Sequence, residues 1–161
     1  MLSNAPARAA DNDAAHQLAG LFMQSCLPFA GDAAGLRDWA KRTGLPAVAE
    51  PGRTAFLHAV PGVVFDASNK AGKFVVVSPD AGSCSALTDT ADAPALIGAL
   101  ETDLSRAGMQ FRLLNEREDP QEKALRYREY GATRNGRGWR ILVGAVKDQQ
   151  RGQAMLTAHS D

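Results

Sequence analysis

The amino-acid sequence predicts an α+β fold, a mainly antiparallel sheet of about six strands with helices on one face. Three observations support this prediction. The first third of the chain carries apolar residues at helical spacings of three and four. A β-branched run from Lys73 to Ser78 is followed by the turn residues Pro79 to Gly82. After one further helical segment, alternating apolar and polar residues predict strands up to the end of the chain.

Helices are predicted at 13–26, 33–43 and 93–107, where apolar residues recur on one helical face. Pro28 is expected to end the first helix, and Gly44 is a suitable C-cap for the second. The apolar positions are Ala14, Leu18, Leu21, Phe22 and Cys26 in the first helix, Leu36, Trp39 and Ala40 in the second, and Leu96, Ile97, Leu100, Leu104 and Ala107 in the third.

Three or four strands are predicted before the central helix, from the segments 54–60, 63–67, 73–78 and 83–87, and the preceding residues 47–53 are expected to form a loop. The third of these strands is the strongest, because it is β-branched and nearly wholly apolar. It is therefore expected in the middle of the sheet.

Further strands are predicted after the central helix, at 109–114, 122–133, 139–146 and 151–159, with a charged connection at 116–119. By propensity alone the second of them could be a helix. Its position next to Asn135–Gly136, the strongest hairpin signal in the chain, favours a strand. The strands around the central helix are similar in layout to the profilin or PAS-like arrangement, an analogy that carries no function.

The chain has 161 residues, the size of one domain. We expect 13–161 to form a single α+β domain and 1–12 to be a disordered remnant of an export region. Lys plus Arg and Asp plus Glu number 18 each. A net charge of zero argues against general binding to nucleic acid or to anionic membranes. No apolar run approaches the about 18 residues that a membrane span requires.

The opening residues MLSNAPARAADND are rich in Ala, Pro and Asn. The sequence Ala-Arg-Ala at 7–9, followed by Ala-Asp, is similar to the small-residue end of a secretory cleavage region. The alternative interpretation is the disordered tail of a cytosolic protein. We favour export, and we expect a periplasmic location.

The chain has two cysteines, Cys26 and Cys84, and no C-x-x-C motif. In an oxidising compartment the two are expected to form a disulfide. By closing the loop between them, the disulfide would stabilise the folded state by about 4 kcal/mol in the chain-entropy model. The alternative is two free, buried cysteines that act as small apolar side chains. The character of the N-terminus favours the disulfide.

No stretch carries a catalytic motif. Cys26 could pair with His16 or His58 in a Cys–His hydrolase, but it lies near the end of a predicted helix, where the dipole disfavours a thiolate. The three histidines, the third being His159, lack the spacing of a zinc site. The glycine-rich residues 131–138 precede a strand, so no helix N-terminus faces a phosphate there. We therefore expect no catalytic residue, no metal and no cofactor.

The most suggestive surface feature is the hairpin around Asn135–Gly136, where arginine, tyrosine and tryptophan cluster. These residue types dominate the energetics of protein interfaces. The alternative is a solvated sheet face with cross-strand ion pairs to the acidic run at 116–122. The candidate partner-binding residues are Arg126, Tyr127, Arg128, Tyr130, Arg134, Arg137, Trp139 and Arg140.

Several short segments resemble a family of small exported proteobacterial proteins, periplasmic or lipoprotein-like, of poorly defined function, with immunity among the candidate roles. The segments are L-F-x-x-x-C-L at 21–27, L-R-x-W-A at 36–40, G-L-P at 44–46, P-G-V-V-F-D-A-S at 61–68 and G-S-C-S-A at 82–86. The resemblance covers the first ~90 residues best. It implies a periplasmic location and a Cys26–Cys84 bridge, and it transfers no catalytic residue.

These observations predict a binding protein and not an enzyme. The leading hypothesis is a periplasmic immunity or inhibitor protein that neutralises a secreted toxic enzyme, such as a type VI secretion effector, by protein–protein contact. The second hypothesis is an envelope domain that binds or senses a small ligand on the concave face of its sheet. An enzyme is the third, and it would need a polar cluster that only the fold could assemble.

Overall fold

The computed structural model describes residues 5–118, 125–146 and 153–161, and the side chains of these residues except 5–11, 125 and 146. The described chain forms five helices and seven strands. The helices are α1 (Ala5–Gln24), α2 (Cys26–Phe29), α3 (Ala33–Thr43), α4 (Gly52–Leu57) and α5 (Ala93–Arg106). The strands are β1 (Gly62–Asp66), β2 (Phe74–Pro79), β3 (Cys84–Thr88), β4 (Gln110–Glu118), β5 (Leu125–Arg134), β6 (Arg137–Val146) and β7 (Ala154–Ser160).

The fold is α+β, as the sequence predicts, and its sheet is wholly antiparallel. The strand order is β1-β2-β3-β7-β6-β5-β4, which is two meanders joined where β3 pairs with β7. Within the described residues the sheet has seven strands, where about six were expected. The residues 116–118 are not a connection, because β4 continues through Glu118 and Glu116 lies opposite Arg128 of β5.

The N-terminal helix starts earlier than expected. It begins at Ala5, so 5–12 are helical and not a disordered tail. Alanine is the strongest helix former, and Pro6 is compatible with the first turn. Pro28 does not end this helix either, since α1 stops at Gln24 and Pro28 lies within α2.

The second predicted helix has the bounds of α3. The carboxylate of Asp32 accepts a hydrogen bond from the backbone N–H of Gly35 at its start, and Gly44 ends it with φ 80°.

The expected strand at 54–60 is wrong. Residues Gly52–Leu57 form α4, because Glu50 supplies an N-terminal acceptor for the first turn. Its Oε2 accepts hydrogen bonds from the backbone N–H and the hydroxyl of Thr54, at 3.3 and 2.7 Å. Its Oε1 accepts from Arg53 at 2.8 Å. These hydrogen bonds lower the pKa of Glu50, and the hydrogen bond from the Thr54 hydroxyl has the largest effect. Such side-chain contacts have no periodic sequence pattern, so the strand prediction missed the helix.

The helices lie on both faces of the sheet, not on one. The main core lies between one face of the sheet and helices α1, α2, α3 and α5, with Phe22, Leu18, Phe74 and Leu156 fully buried within it. A smaller cluster on the opposite face joins Leu57 of α4 to strands β1, β2 and β3. The helix α4 therefore covers only the β1–β2 end of that face.

The disulfide between Cys26 and Cys84 is present, and it joins the start of α2 to the start of β3 over 58 residues of sequence. Both side chains are fully buried within the main core. The bridge thus fixes the end of the N-terminal helical segment to the middle of the sheet. None of the described helices combines the length and apolar character that a membrane crossing requires.

Candidate functional site

The β5–β6 hairpin is confirmed, with Asn135 and Gly136 at positive φ in its two-residue turn. Alternation along the two strands divides the eight predicted partner-binding residues between opposite faces of the sheet. Six of them point towards the helices: Arg126, Arg128, Tyr130, Arg134, Arg137 and Trp139. Tyr127 and Arg140 point away from the helices.

Tyr130 and Trp139 are buried, with exposed fractions of 1% and 3%. The Tyr130 hydroxyl donates a hydrogen bond to Oε1 of Glu101 on α5 at 2.7 Å. The indole Nε1 of Trp139 donates to the carbonyl oxygen of Leu27 on α2 at 2.7 Å. Both aromatic residues attach the sheet to a helix. In this fold, therefore, neither ring is presented to a partner on the surface.

Arg134 and Arg137 hydrogen-bond to free backbone carbonyls at helix ends. Arg134 Nη1 donates to the carbonyl oxygen of Ala107, the C-cap residue of α5, at 3.1 Å. Arg137 donates to the carbonyl oxygens of Pro28 and Ala30 at 3.1 and 2.8 Å. The last carbonyls of a helix have no partner within the helix, so these arginines act as C-terminal caps.

Arg128 lies in a polar cluster between β4, β5 and α5. It donates from Nε to Glu116 at 3.1 Å and from Nη1 to the Tyr130 hydroxyl at 3.1 Å. These hydrogen bonds raise the pKa of Arg128, and the hydrogen bond to Tyr130 has the largest effect. Arg126 Nε lies 3.9 Å from the same Glu116 carboxylate. Glu116 of the acidic run thus forms cross-strand ion pairs with Arg126 and Arg128, as the solvated-face interpretation expected for the hairpin.

The opposite face of strands β4, β5 and β6 is not covered by any described helix. We call it the open face and define it by side chains that alternate with the buried ones: Arg112, Leu114, Arg117, Tyr127, Glu129, Gly131, Arg140 and Leu142. It carries three guanidinium groups. The Arg140 guanidinium pairs with Glu129 at 2.7 Å, which raises its pKa. Arg117 lies over the Tyr127 ring at 5.2 Å.

A shallow depression of about 360 Å³ lies on the open face next to Gly131. Arg112, Leu114, Arg140 and Asp161 line it. A side chain at Gly131 would contact Leu114, since a Cβ there would lie 3.3 Å from a Leu114 methyl carbon. The absence of a side chain at Gly131 therefore leaves space for the depression between Arg112 and Arg140.

The two edges of the sheet differ. At the β1 edge, the N–H of Val48 donates to Val64 and the N–H of Asp66 donates to Pro46, so the segment 46–48 covers the strand. At the β4 edge, the described chain provides no strand beyond β4. Two apolar side chains are exposed there, Leu113 at 45% and Leu114 at 38%.

The sequence did not single out Arg112, Arg117, Leu113 or Leu114 as functional residues. Arg112 and the two leucines lie in the predicted strand 109–114, whereas Arg117 lies in the predicted connection 116–119. The available signal was the charge of Glu116, Arg117 and Glu118, because charged side chains are typical of edge strands. In the structure, β4 continues through these residues for nine positions in all and leaves 112–118 exposed.

A second concavity, of about 490 Å³, lies at the other end of the sheet beneath α4. Val48, Phe56, Val75 and Leu87 give it an apolar wall. Its polar lining is Asp66, Ser68, Lys73, Thr88, Asp89 and Gln153. Hydrogen bonding to Ser68 lowers the pKa of Asp66. We call this concavity the α4 cleft.

The three histidines lie apart on the surface, on α1, after α4 and on β7. His58 ends α4 and is not in a strand. Among the described residues, no group of three or more His, Cys, Asp or Glu side chains is placed to hold a metal ion. Comparison with protein-family models and with curated proteins finds no match to this chain.

Proposed function

We propose that this protein binds another protein through the open face, and that it acts in the periplasm as an immunity or inhibitor protein against a secreted bacterial toxin. The observation that carries the proposal is the uncovered half of the sheet, where arginine and tyrosine side chains surround a low, glycine-lined surface. Arginine and tyrosine are enriched among the residues that dominate interface energies. A partner seated there would bury Tyr127 together with Arg112, Arg117 and Arg140.

Two features of the described chain support protein binding through the open face. On the helix side, Arg128 pairs with Glu116, and Arg134 and Arg137 donate to helix-end carbonyls, so these three arginines serve the fold. Arg112 and Arg117 on the open face form no ion pair with a described carboxylate. A surface with unpaired guanidinium groups attracts an acidic partner and accelerates its association.

The disulfide supports a location outside the reducing cytosol. Disulfides form and persist in oxidising compartments such as the bacterial periplasm. A bridge that links α2 to β3 within the core also suits a protein that must stay folded while it meets a secreted enzyme.

Affinity capture from the strain that encodes the protein tests the proposal. The tagged protein is exported and recovered from the periplasm, and its partner is identified. We expect a secreted toxic enzyme, with its purified activity lost at one equivalent of this protein. Recovery of no such enzyme contradicts the proposal, as does an enzyme whose activity persists in the complex.

The α4 cleft favours a second candidate function, a small-ligand-binding envelope domain. Its volume of about 490 Å³ lies within the range of small-molecule sites, and its apolar wall with a few polar groups is typical of them. Native mass spectrometry of protein purified from its own strain tests this function. A bound small molecule that is lost in the variant Val75→Arg would support it, and an empty cleft in both proteins would contradict it.

A further inference from the structure

We propose that the β4 edge accepts an extended strand of the partner, and that this strand carries two acidic side chains four residues apart. The β4 edge is the side of β4 that faces away from β5. This proposal rests on the proposed function and specifies how the partner is recognised.

The first argument is the contrast between the two edges of the sheet. The segment 46–48 protects β1 by hydrogen bonds to its backbone, whereas no described strand pairs with the far side of β4. An uncovered edge strand presents backbone N–H and C=O groups that can pair with another strand. Strand addition to such an edge is a recurrent mode of peptide recognition.

The second argument is the distribution of charge along β4. On the helix side of the strand, Arg126 and Arg128 already neutralise Glu116. On the open face, Arg112 and Arg117 have no ion pair with a described carboxylate. A partner strand with acidic side chains on the open face therefore complements β4. A second copy that pairs antiparallel with β4 would add two more arginines to the same face, and this juxtaposition of like charges is unfavourable.

The third argument gives the spacing. Arg112 lies opposite Gly131, and Arg117 lies opposite Tyr127. Because of a register shift between Leu113 and Asn115, the five residue steps from Arg112 to Arg117 span the same length as the four steps from Gly131 to Tyr127. A regular partner strand on the other side of β4 that follows the same path needs acidic residues at positions j and j+4, about 13 Å apart.

A synthetic peptide tests the recognition mode without the natural partner. The probe is acetyl-TTEVTVETT-amide with a fluorescent label, and its glutamates lie four residues apart on one face of a strand. The matched control, acetyl-TTKVTVKTT-amide, has lysine at both places. Fluorescence anisotropy should show saturable binding of the glutamate peptide, at least about tenfold tighter than the lysine peptide. No saturation up to about 1 mM would overturn the proposal.

Two protein variants check that the charges act where we propose. Arg112→Glu/Arg117→Glu should reverse the preference, so that the lysine peptide binds more tightly. Arg42→Glu/Lys70→Glu makes the same change of charge at exposed positions on α3 and in the β1–β2 connection, and it should keep the original preference. An unchanged preference in the β4 variant would overturn the proposal.

Backbone methylation separates strand pairing from simple attraction of charge. In a strand, alternate N–H groups point to opposite sides, so only one alternate set can pair with β4. Two glutamate peptides, N-methylated at the odd or at the even positions, should therefore differ: one loses binding and the other keeps it. Equal binding by both would show attraction without strand addition, and it would contradict the inference.

The peptide experiments test strand addition, and affinity capture tests the immunity role, so failure of one proposal can be distinguished from failure of the other. Peptide binding that fails, together with capture of an inhibited toxic enzyme, would reject strand addition and leave the immunity role intact. Peptide binding that succeeds, with no toxic enzyme captured, would support the strand-accepting edge and reject the immunity role. A dimer in sedimentation that Arg112→Glu/Arg117→Glu abolishes would identify a second copy as the occupant and overturn the acidic partner.

Discussion

The indole nitrogen of Trp139 donates a hydrogen bond to the backbone carbonyl oxygen of Leu27 at 2.7 Å, across 112 residues of sequence. Leu27 follows Cys26, whose disulfide joins the same short helix to β3. The helix α2 is thus held to the sheet from two strands, covalently through β3 and by hydrogen bonds through β6. A residue that the sequence suggested as an interface anchor instead belongs to the framework.

Replacing Trp139 with phenylalanine should destabilise the fold by about 1–3 kcal/mol, because the buried carbonyl of Leu27 loses its donor. Urea denaturation measures this free energy of unfolding. The matched control is Trp39→Phe, since Trp39 is only partly buried and its ring packs against Phe29. An equal effect of both changes would contradict the role given to the Trp139 hydrogen bond.

The disulfide should contribute about 4 kcal/mol to stability, because it closes a loop of 58 residues. Reduction of the wild-type protein should lower its urea midpoint, whereas Cys26→Ala/Cys84→Ala should unfold at the lower midpoint with or without reductant. A thiol assay on the unfolded, unreduced protein should find no free thiol. Two reactive thiols would refute the bridge and remove a main support for export.

Tyr130 should titrate at a higher pH than an ordinary tyrosine. Burial raises its pKa from 10.0 to about 12; the Glu101 carboxylate acts in the same direction, and Arg128 opposes both. The chain has two tyrosines, so Tyr127→Phe leaves Tyr130 as the sole reporter. Its tyrosinate absorbance should appear near pH 12, and a midpoint near pH 10 would contradict the buried Tyr130–Glu101 hydrogen bond.

The same shift predicts how stability depends on pH. Between pH 10 and about 12 the unfolded chain loses the Tyr130 proton while the folded protein keeps it. The Tyr130 contribution is therefore complete below pH 10 and is lost as the pH rises to about 12, by about 2–3 kcal/mol. Comparing the unfolding of Tyr127→Phe with that of Tyr127→Phe/Tyr130→Phe isolates this contribution, and parallel curves above pH 10 would refute it.

The charge-reversed β4 variant should fold as well as the wild type. Arg112 and Arg117 are exposed and form no ion pair with a described carboxylate, and the variant loses the contact of Arg117 with the Tyr127 ring. The free energy of unfolding should therefore change by about 1 kcal/mol or less. Thermal and urea denaturation check this. A loss of several kcal/mol would show that these arginines support the fold, which would contradict their assignment to a binding surface.

The sequence predicted the elements whose signals are local. The bounds of α3 follow from its cap at Asp32, its inner residues and Gly44, and the β5–β6 hairpin follows from Asn135–Gly136. The strand expected at 54–60 failed because the Glu50 carboxylate binds the first turn of α4 through Thr54. That contact depends on where one side chain points, which no periodic pattern encodes.

The candidate site was predicted only in part, and alternation explains why. Residues that are neighbours in the hairpin sequence, such as Tyr127 and Arg128, lie on opposite faces of the sheet. Composition drew attention to the hairpin but could not assign its faces. The pairing of β4 with β5 adds Arg112 and Arg117 to the surface of Tyr127 and Arg140, and that pairing is a long-range property of the fold.

A competition assay between bacteria tests the central claim most directly. The strain that lacks this protein is grown against its parent and complemented with the wild type, with Arg112→Glu/Arg117→Glu or with Arg42→Glu/Lys70→Glu. We expect the parent to kill the deletion strain, and we expect the wild type and the Arg42/Lys70 variant to protect it while the β4 variant does not. Survival of the deletion strain without complementation would contradict the immunity role.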